Sequence, residues 1–164
     1  MRSAFKALAP GGYLEFQDPV MPMKYAIPPP EDSSLKQWNE LSVQASIVGK
    51  RPWNNVQHYA QWMREVGFVD VVEEKYFAPI GPWAEGDSDE AKELRKKGAW
   101  QMENMLLGVE GMTIKGLARL GWEADECKVL VAKVREEYSN IRPGGPLRPY
   151  TDFTAVYGRK PEAG

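Results

Sequence analysis

Proline and glycine interrupt this chain at short intervals, and they limit how long any helix or strand in it can be. Nine of the 13 prolines, with five of the 15 glycines, lie in the stretches 10–12, 22–30, 79–82 and 143–146. Proline lacks the amide hydrogen that helices and central strands use, so each of these stretches predicts a turn or an extended loop. The helices and strands of the fold must therefore lie between them.

The pattern of apolar residues between these breaks predicts an alternation of helices and strands. Strands are predicted at residues 13–18, 68–77 and 152–157, where aromatic and β-branched side chains are frequent. Helices are predicted at residues 3–8, 31–48, 55–66, 88–107, 113–120 and 127–138. Because helices separate the strands, the fold class is α/β or α+β.

The charge and hydropathy of the chain exclude several classes of protein. Its 21 Lys and Arg residues are interspersed with 23 Asp and Glu residues, so there is no basic surface for a nucleic acid. No apolar stretch approaches the roughly 18 residues of a membrane helix, and no secretory segment follows Met1. The single cysteine, Cys127, has no internal disulfide partner. These features predict a cytoplasmic protein that binds neither nucleic acid nor membrane.

The aromatic content has two interpretations. The six Trp, seven Tyr and five Phe residues can all serve a packed core, because large flat side chains pack well. They can also line a pocket for an apolar small molecule, since such pockets have aromatic walls and few polar groups.

Several short segments resemble those of one protein family. The run of residues 8–18, LAPGGYLEFQD, resembles the helix-turn-strand element before the fifth sheet strand of class I methyltransferases. Further matching segments follow in the family's order at residues 51–52, 67–71, 79–83, 108–111, 120–122 and 156–161. Together they look like the fungal secondary-metabolite methyltransferases related to the regulator LaeA, from Phe5 to Pro161.

The resemblance implies a truncated, Rossmann-like fold. The family's sheet order is 3-2-1-4-5-7-6, and this chain matches strands 5, 6 and 7 only. A single domain over residues 1–164 is expected, with a helical, substrate-covering insertion at about 84–122. The family's glycine-rich loop and ribose-binding acid have no match here, so no residue is expected to bind S-adenosylmethionine (SAM). The glycines at 11–12 and 144–145 are interpreted as plain turns.

The missing neighbour of strand 5 predicts association. An exposed strand edge with apolar residues such as Leu14 and Phe16 tends to pair with another chain. A homodimer is the expected solution, because two-fold dimers are the commonest closed assembly. A methyltransferase partner is the alternative.

Three titratable residues are candidates for proton transfer. His58 is the only histidine and is a potential general base near neutral pH. Asp18 lies at the carboxyl end of the first predicted strand, where α/β sheets bind ligands. Glu103 lies beside Trp100 on a predicted helix and becomes a general acid if it is buried. Each also has a structural interpretation: a core histidine, a loop cap and a solvated side chain.

The candidate substrate-binding residues are polar groups near strand 5 and aromatic residues elsewhere. Gln17 is expected to orient a substrate, and Trp100, Asn104 and Met105 to face a shared cavity. The other members of this set are Trp38, Trp53, Tyr59, Trp62 and Trp83. One His, one Cys and scattered acids form no metal-ligand set.

These observations favour a SAM-independent enzyme that binds an apolar polyketide or terpenoid and guides its cyclisation or isomerisation. Such a reaction needs a shaped pocket and one acid or base. The alternatives are a non-catalytic accessory subunit of a methyltransferase, and a fragment of a complete methyltransferase.

Overall fold

The fold, seen in a computed structural model that describes residues 1–162, is a mixed α/β arrangement, as predicted. The strands are β1 (Tyr13–Pro19), β2 (Lys24–Tyr25), β3 (Val69–Pro79) and β4 (Pro149–Arg159). The α-helices are α1 (Arg2–Ala7), α2 (Ser34–Val48), α3 (Tyr59–Val66), α4 (Asp89–Leu117) and α5 (Ala124–Ser139). Short 3₁₀ turns precede α3 at Asn55–His58 and follow α4 at Ala118–Leu120.

Strand β4 is the partner of every other strand in the four-stranded sheet. It runs antiparallel to β1, with Leu14 opposite Gly158 and Phe16 opposite Val156. The first residues of β4 pair with β2, where Lys24 lies opposite Tyr150. Strand β3 also pairs with β4. The last strand therefore lies between β1 and β3, as the 5-7-6 order implies, and β1 has one edge without a strand partner among residues 1–162.

The chain divides into two compact units. The first unit contains residues 1–20, 54–76 and those from 152 onwards, and the second contains residues 21–53 and 77–151. The expected helical insertion at about 84–122 falls inside the second unit. A single domain over residues 1–164 remains a prediction.

The core of the first unit lies between one face of the sheet and helices α1 and α3. Met63, Phe68 and Val156 are buried there, and Leu14 packs against them from β1. The ring of Phe5 meets that of Phe68 edge to face, with 4.8 Å between their centroids. The alternation of side chains along β1 thus directs Leu14 and Phe16 to the helices and Glu15 and Gln17 to the other face.

Helices α2, α4 and α5 form the core of the second unit around Trp38. The side chain of Trp38 is fully buried, and its indole Nε1 donates a hydrogen bond of 2.7 Å to Thr113 Oγ1. The carboxylate of Glu137, on α5, accepts hydrogen bonds from the Ser33 hydroxyl and from the amides of Ser34 and Leu35. Glu137 thereby satisfies amide groups that the first turn of α2 leaves without helical partners.

Helix α4 corrects the sequence prediction of two helices, at residues 88–107 and 113–120. It runs unbroken for 29 residues, with Gly108 and Gly111 in its interior. A helical glycine costs only about 1 kcal/mol relative to alanine. The complete burial of Val109, Thr113 and Leu117, which share one face of the helix, outweighs that cost.

Other predictions of helix and strand positions need smaller corrections. The stretch 22–30, predicted as a loop, contains the short strand β2, because its pairing with β4 supplies hydrogen bonds that local sequence does not reveal. Strand β4 begins three residues before its predicted start, at Pro149 rather than Asp152. Gly49 and Gly67, which directly follow the helices predicted at 31–48 and 55–66, occupy the C-cap positions of α2 and α3. Among the described residues, no helix is both long and apolar enough to cross a membrane.

Replacement of Gly98 by alanine should destabilise the second unit. The Gly81 amide donates a hydrogen bond of 2.8 Å to the Gly98 carbonyl, and a Cβ at Gly98 would lie 2.1 Å from the Gly81 carbonyl oxygen. We expect Gly98→Ala to lower the free energy of unfolding by about 1–3 kcal/mol, the usual cost of overpacking. Urea denaturation measures this change.

The matched control for this prediction is Gly111→Ala in the same helix, where an added Cβ would have no atom within 4 Å. That variant should gain about 0.5–1 kcal/mol, because alanine loses less backbone entropy than glycine. Equal unfolding midpoints for the two variants would contradict the close approach at Gly98.

Candidate functional site

A cluster of aromatic residues is joined to Asp18 through Tyr59 at the carboxyl end of β1, in the first unit. The hydroxyl of Tyr59 donates a hydrogen bond of 2.9 Å to Asp18 Oδ2. The Tyr59 ring lies 5.1 Å from that of Phe16 and 6.0 Å from that of Trp62, between centroids. Strand β1 supplies Asp18 and Phe16, and the first two turns of α3 supply Tyr59 and Trp62. We call these four residues the Asp18 cluster.

The Tyr59 phenol is held in its protonated form. Burial raises its pKa first, and the hydrogen bond and negative charge of Asp18 raise it further. Charging the phenol beside a carboxylate would place two negative charges together, which costs free energy. At neutral pH the Tyr59 hydroxyl is therefore held by its hydrogen bond to the Asp18 carboxylate. The pair can orient a polar group of a ligand.

His58 lies at the margin of the Asp18 cluster. It ends the 3₁₀ turn before α3, and its exposed imidazole ring is 5.4 Å from the ring of Trp62. Gln17 lies on the opposite face of β1 from Phe16 and Asp18, where its side-chain amide donates to Glu15 at 2.6 Å. The fold thus brings four predicted residues, Asp18, His58, Tyr59 and Trp62, into one region and directs Gln17 away from them.

A shallow groove lies beside α4 in the second unit. Its volume is about 350 Å³, and its lining includes Phe77, Pro79, Lys97, Trp100, Gln101 and Asn104. The ring of Phe77 contacts those of Trp83, at 6.1 Å, and Tyr150, at 5.0 Å. The predicted residues Trp100 and Asn104 therefore meet here, and Trp83 supports the wall formed by Phe77. We call this feature the α4 groove.

The remaining predicted residues lie elsewhere in the second unit. Trp38 is in the core, with no exposed surface, so it does not line a cavity open to a ligand. Met105 packs against the same core, and the half-buried Trp53 is fixed by its amide, which donates to the Ser46 hydroxyl. Glu103 is exposed on α4 outside the groove lining. A single cavity that joins His58, Asp18 or Glu103 to Trp100 remains a prediction.

Sequence reasoning missed Phe77, Lys97 and Gln101. The i, i+4, i+7 spacing of Lys97, Gln101 and Asn104 places the three on one helix face and was the available signal. The sequence contains no such signal for Phe77, because its place in a β-rich run predicts a strand residue and does not indicate which groove it lines.

The glycine turns of the chain do not fit a nucleotide cofactor. The Gly11 and Gly12 amides donate to the carbonyls of Lys160 and Ala9, and the Gly145 amide donates to that of Arg142. A cofactor-binding turn instead directs such amides at the ligand. The expectation that this chain has no SAM site of its own remains a prediction.

Within the part of the chain that the structure describes, no three His, Cys, Asp or Glu side chains are grouped so that they could hold a metal ion. Cys127 is buried, and that burial raises the pKa of its thiol. The thiol is therefore a poor nucleophile and serves the core of the second unit.

The free edge of β1 is defined by the alternation of its backbone groups. The Val20 amide donates to the Asp152 carbonyl at 2.8 Å. Because backbone groups alternate along an antiparallel strand, the amides of Asp18, Phe16 and Leu14 also face β4 in the observed register. The intervening residues direct theirs at the edge without a strand partner within residues 1–162. These are Tyr13, Glu15 and Gln17.

Comparison with known proteins gives relatives of a single kind. No protein family model matches the chain. It is 36% identical to "Probable methyltransferase tdiE" of Emericella nidulans over 99% of this chain and 49% of that protein. It is 27% identical to "Methyltransferase pytC" of Aspergillus terreus over 98% of this chain and 48% of that protein.

The chain therefore spans about half the length of the curated relatives it matches. Its predicted similarity to fungal methyltransferases is confirmed, and these relatives support a fragment of a methyltransferase. They do not single out the group related to LaeA, so that narrower assignment remains a prediction.

The Asp18 cluster leads to a prediction about pH. The protonated Tyr59 phenol stabilises the folded state. This contribution is complete at pH values below the pKa of tyrosine in the unfolded chain, about 10. It is lost as the pH rises through the raised pKa of Tyr59 in the folded state. Asp18→Asn should lower the Tyr59 pKa only part of the way, because burial, the largest cause of the shift, remains.

NMR titration of ¹³Cζ-labelled tyrosine measures this pKa, with Tyr59→Phe to assign the resonance and as the control that removes the phenol. An unchanged Tyr59 pKa in Asp18→Asn would show that the carboxylate does not act on the phenol.

Proposed function

We propose that this chain supplies one half of a fungal methyltransferase, and that a second half completes the enzyme by pairing with the free edge of β1. The observation that carries the proposal is the match of nearly the whole chain to about half of each of two methyltransferases. In each relative, about half of the protein lies outside the region that this chain matches, and in this proposal that half supplies the remaining strands of the sheet.

The free edge of β1 supports strand addition as the mode of assembly. The amides of Tyr13, Glu15 and Gln17 are directed outwards, so an added strand can use them for main-chain hydrogen bonds. The face of β1 that carries Leu14 and Phe16 is already covered, because both side chains pack against the core of the first unit. Pairing at this edge therefore requires no rearrangement of that core.

The division of labour follows from the resemblance to class I methyltransferases. The second half is expected to bind SAM, since the turns of this chain do not fit that cofactor. This chain contributes the Asp18 cluster at the carboxyl end of β1, the end of a strand at which α/β sheets bind ligands. The phenol of Tyr59 and the carboxylate of Asp18 serve there to orient a substrate.

A SAM-independent catalyst of cyclisation or isomerisation is the second candidate. The observation that favours it is the Asp18 cluster itself, in which the rings of Phe16 and Trp62 lie beside a phenol that is hydrogen-bonded to a carboxylate. In that case a second copy of the chain occupies the free edge of β1, as the predicted homodimer.

Assembly and cofactor binding together distinguish these candidates. The chain is mixed with the part of the tdiE protein that it does not match, and calorimetry measures SAM binding. We expect no saturable heat for the chain alone and a Kd in the micromolar range, about 1–100 µM, for the mixture. Micromolar binding by the chain alone would contradict the proposal. Light scattering that gives a dimer of this chain and no complex would favour the second candidate.

Gln17→Pro should prevent assembly and leave the fold intact. Proline removes an amide that faces the free edge and is tolerated on edge strands, so the ladder between β1 and β4 is kept. The matched control is Gln17→Ala, which retains the amide. We expect the affinity between the two halves to fall at least about tenfold in Gln17→Pro alone, in line with the loss of one main-chain hydrogen bond and the added steric block. Equal affinities would show that the second half does not pair with β1.

A further inference from the structure

We propose that the α4 groove binds a planar, conjugated small molecule that carries an anionic group, with Trp100 and Phe77 against the ring system and Lys97 at the anion. The inference does not depend on the assembly proposed above, because every residue that lines the groove belongs to the second unit.

Two exposed aromatic side chains supply the apolar part of the site. Trp100 retains 71% of its accessible surface and Phe77 retains 45%. A flat ligand over these rings removes apolar area of both partners from water, which stabilises the complex by roughly 25 cal/mol for each Å² buried. It also gains the ring–ring contact energy that aromatic pairs have beyond burial.

The Phe77 wall of the α4 groove is fixed before any ligand binds. Its ring meets that of Trp83 nearly at a right angle, 87°, and lies 5.0 Å from that of Tyr150. Trp83 is itself held by a hydrogen bond of 2.8 Å from its Nε1 to the Pro149 carbonyl. A wall that is already ordered loses little entropy on binding, so more of the contact energy contributes to affinity.

The charge in the α4 groove comes from Lys97, for which the described residues supply no partner. Neighbouring cations of α4 are in use: Lys92 pairs with Asp89, Arg95 donates to two loop carbonyls, and Lys96 lies 5.5 Å above the Trp100 ring. Within residues 1–162, Lys97 makes no side-chain hydrogen bond or ion pair.

The two amide side chains of the groove complete the polar part of the site. Gln101 and Asn104 follow Lys97 at i+4 and i+7 and line the same groove. Neither has a side-chain hydrogen bond among the described residues, and each can both donate and accept. A ligand carbonyl or hydroxyl near the anion satisfies them.

The dimensions and charge define the ligand class. The volume of about 350 Å³ lies at the lower end of small-molecule sites and suits a system of about two fused rings. An exposed ammonium favours a carboxylate or phenolate over a neutral group by about 2–5-fold in Kd. A purely hydrocarbon ligand would use the rings and leave the three polar side chains without partners.

The test is calorimetric titration with 2-naphthoate and with its neutral analogue 2-naphthamide. We expect 2-naphthoate to bind with a Kd below about 1 mM, and 2-naphthamide about 2–5 times more weakly. Trp100→Ala should raise both Kd values about tenfold, as the loss of a stacked ring does. Lys97→Gln should raise the Kd of 2-naphthoate about 2–5-fold and leave that of 2-naphthamide unchanged.

The matched controls lie on the same helix outside the groove. Leu107→Ala removes an exposed apolar side chain, one with 76% of its surface accessible, and Lys115→Gln removes an exposed ammonium. Neither should change either Kd, and circular dichroism verifies folding of all four variants. The proposal is overturned if 2-naphthoate gives no saturable heat up to about 5 mM. It is also overturned if Leu107→Ala weakens binding as much as Trp100→Ala, or if Lys97→Gln weakens both probes equally.

Discussion

Strand β4 is the constraint on which the sheet depends, because every other strand in the described chain pairs with it. The first strand of the chain pairs with the last, so the fold closes through contacts between residues more than a hundred positions apart, such as Leu14 and Gly158. The absence of a side chain at Gly158 matters here. A Cβ at that position would lie 3.0 Å from Val71 and 3.1 Å from Met63, too close for the present packing of the first unit.

The second unit depends instead on buried polar contacts between helices. Glu137 on α5 caps the first turn of α2, and Trp38 on α2 donates to Thr113 on α4. Thr113 in turn donates to the Val109 carbonyl one turn earlier. Each buried polar atom in this series has a partner, which avoids the cost of an unsatisfied group and fixes the register of the three helices.

The functional features divide between the two units. The first unit holds the free edge of β1 and the Asp18 cluster, which together suit a partial sheet that binds a ligand at a strand end. The second unit holds the α4 groove, whose rings and ammonium suit a planar anion. The chain is similar to about half of each of two fungal methyltransferases, and the free edge of β1 is where the proposed second half pairs.

The sequence by itself determined the features that arise from local chemistry. Pro-Gly-Gly predicted the turn before β1, and the spacing of apolar residues predicted where α2 and α3 end. The α/β class and the position of β4 between β1 and β3 were also predicted, the latter through the family resemblance. Local signals suffice for turns and helix ends, because these involve residues a few positions apart.

Only the tertiary structure decided the length of α4, the strand β2 and the membership of each site. Burial of Val109, Thr113 and Leu117 outweighed the helix-weakening effect of Gly108 and Gly111 inside α4. The Asp18–Tyr59 hydrogen bond joins residues 41 positions apart. Trp38 entered the core and Trp100 did not, although both are tryptophans on amphipathic helices. The physical reason is that a residue type and its spacing fix which side chains share a helix face, whereas the partner of that face is fixed by packing between distant parts of the chain.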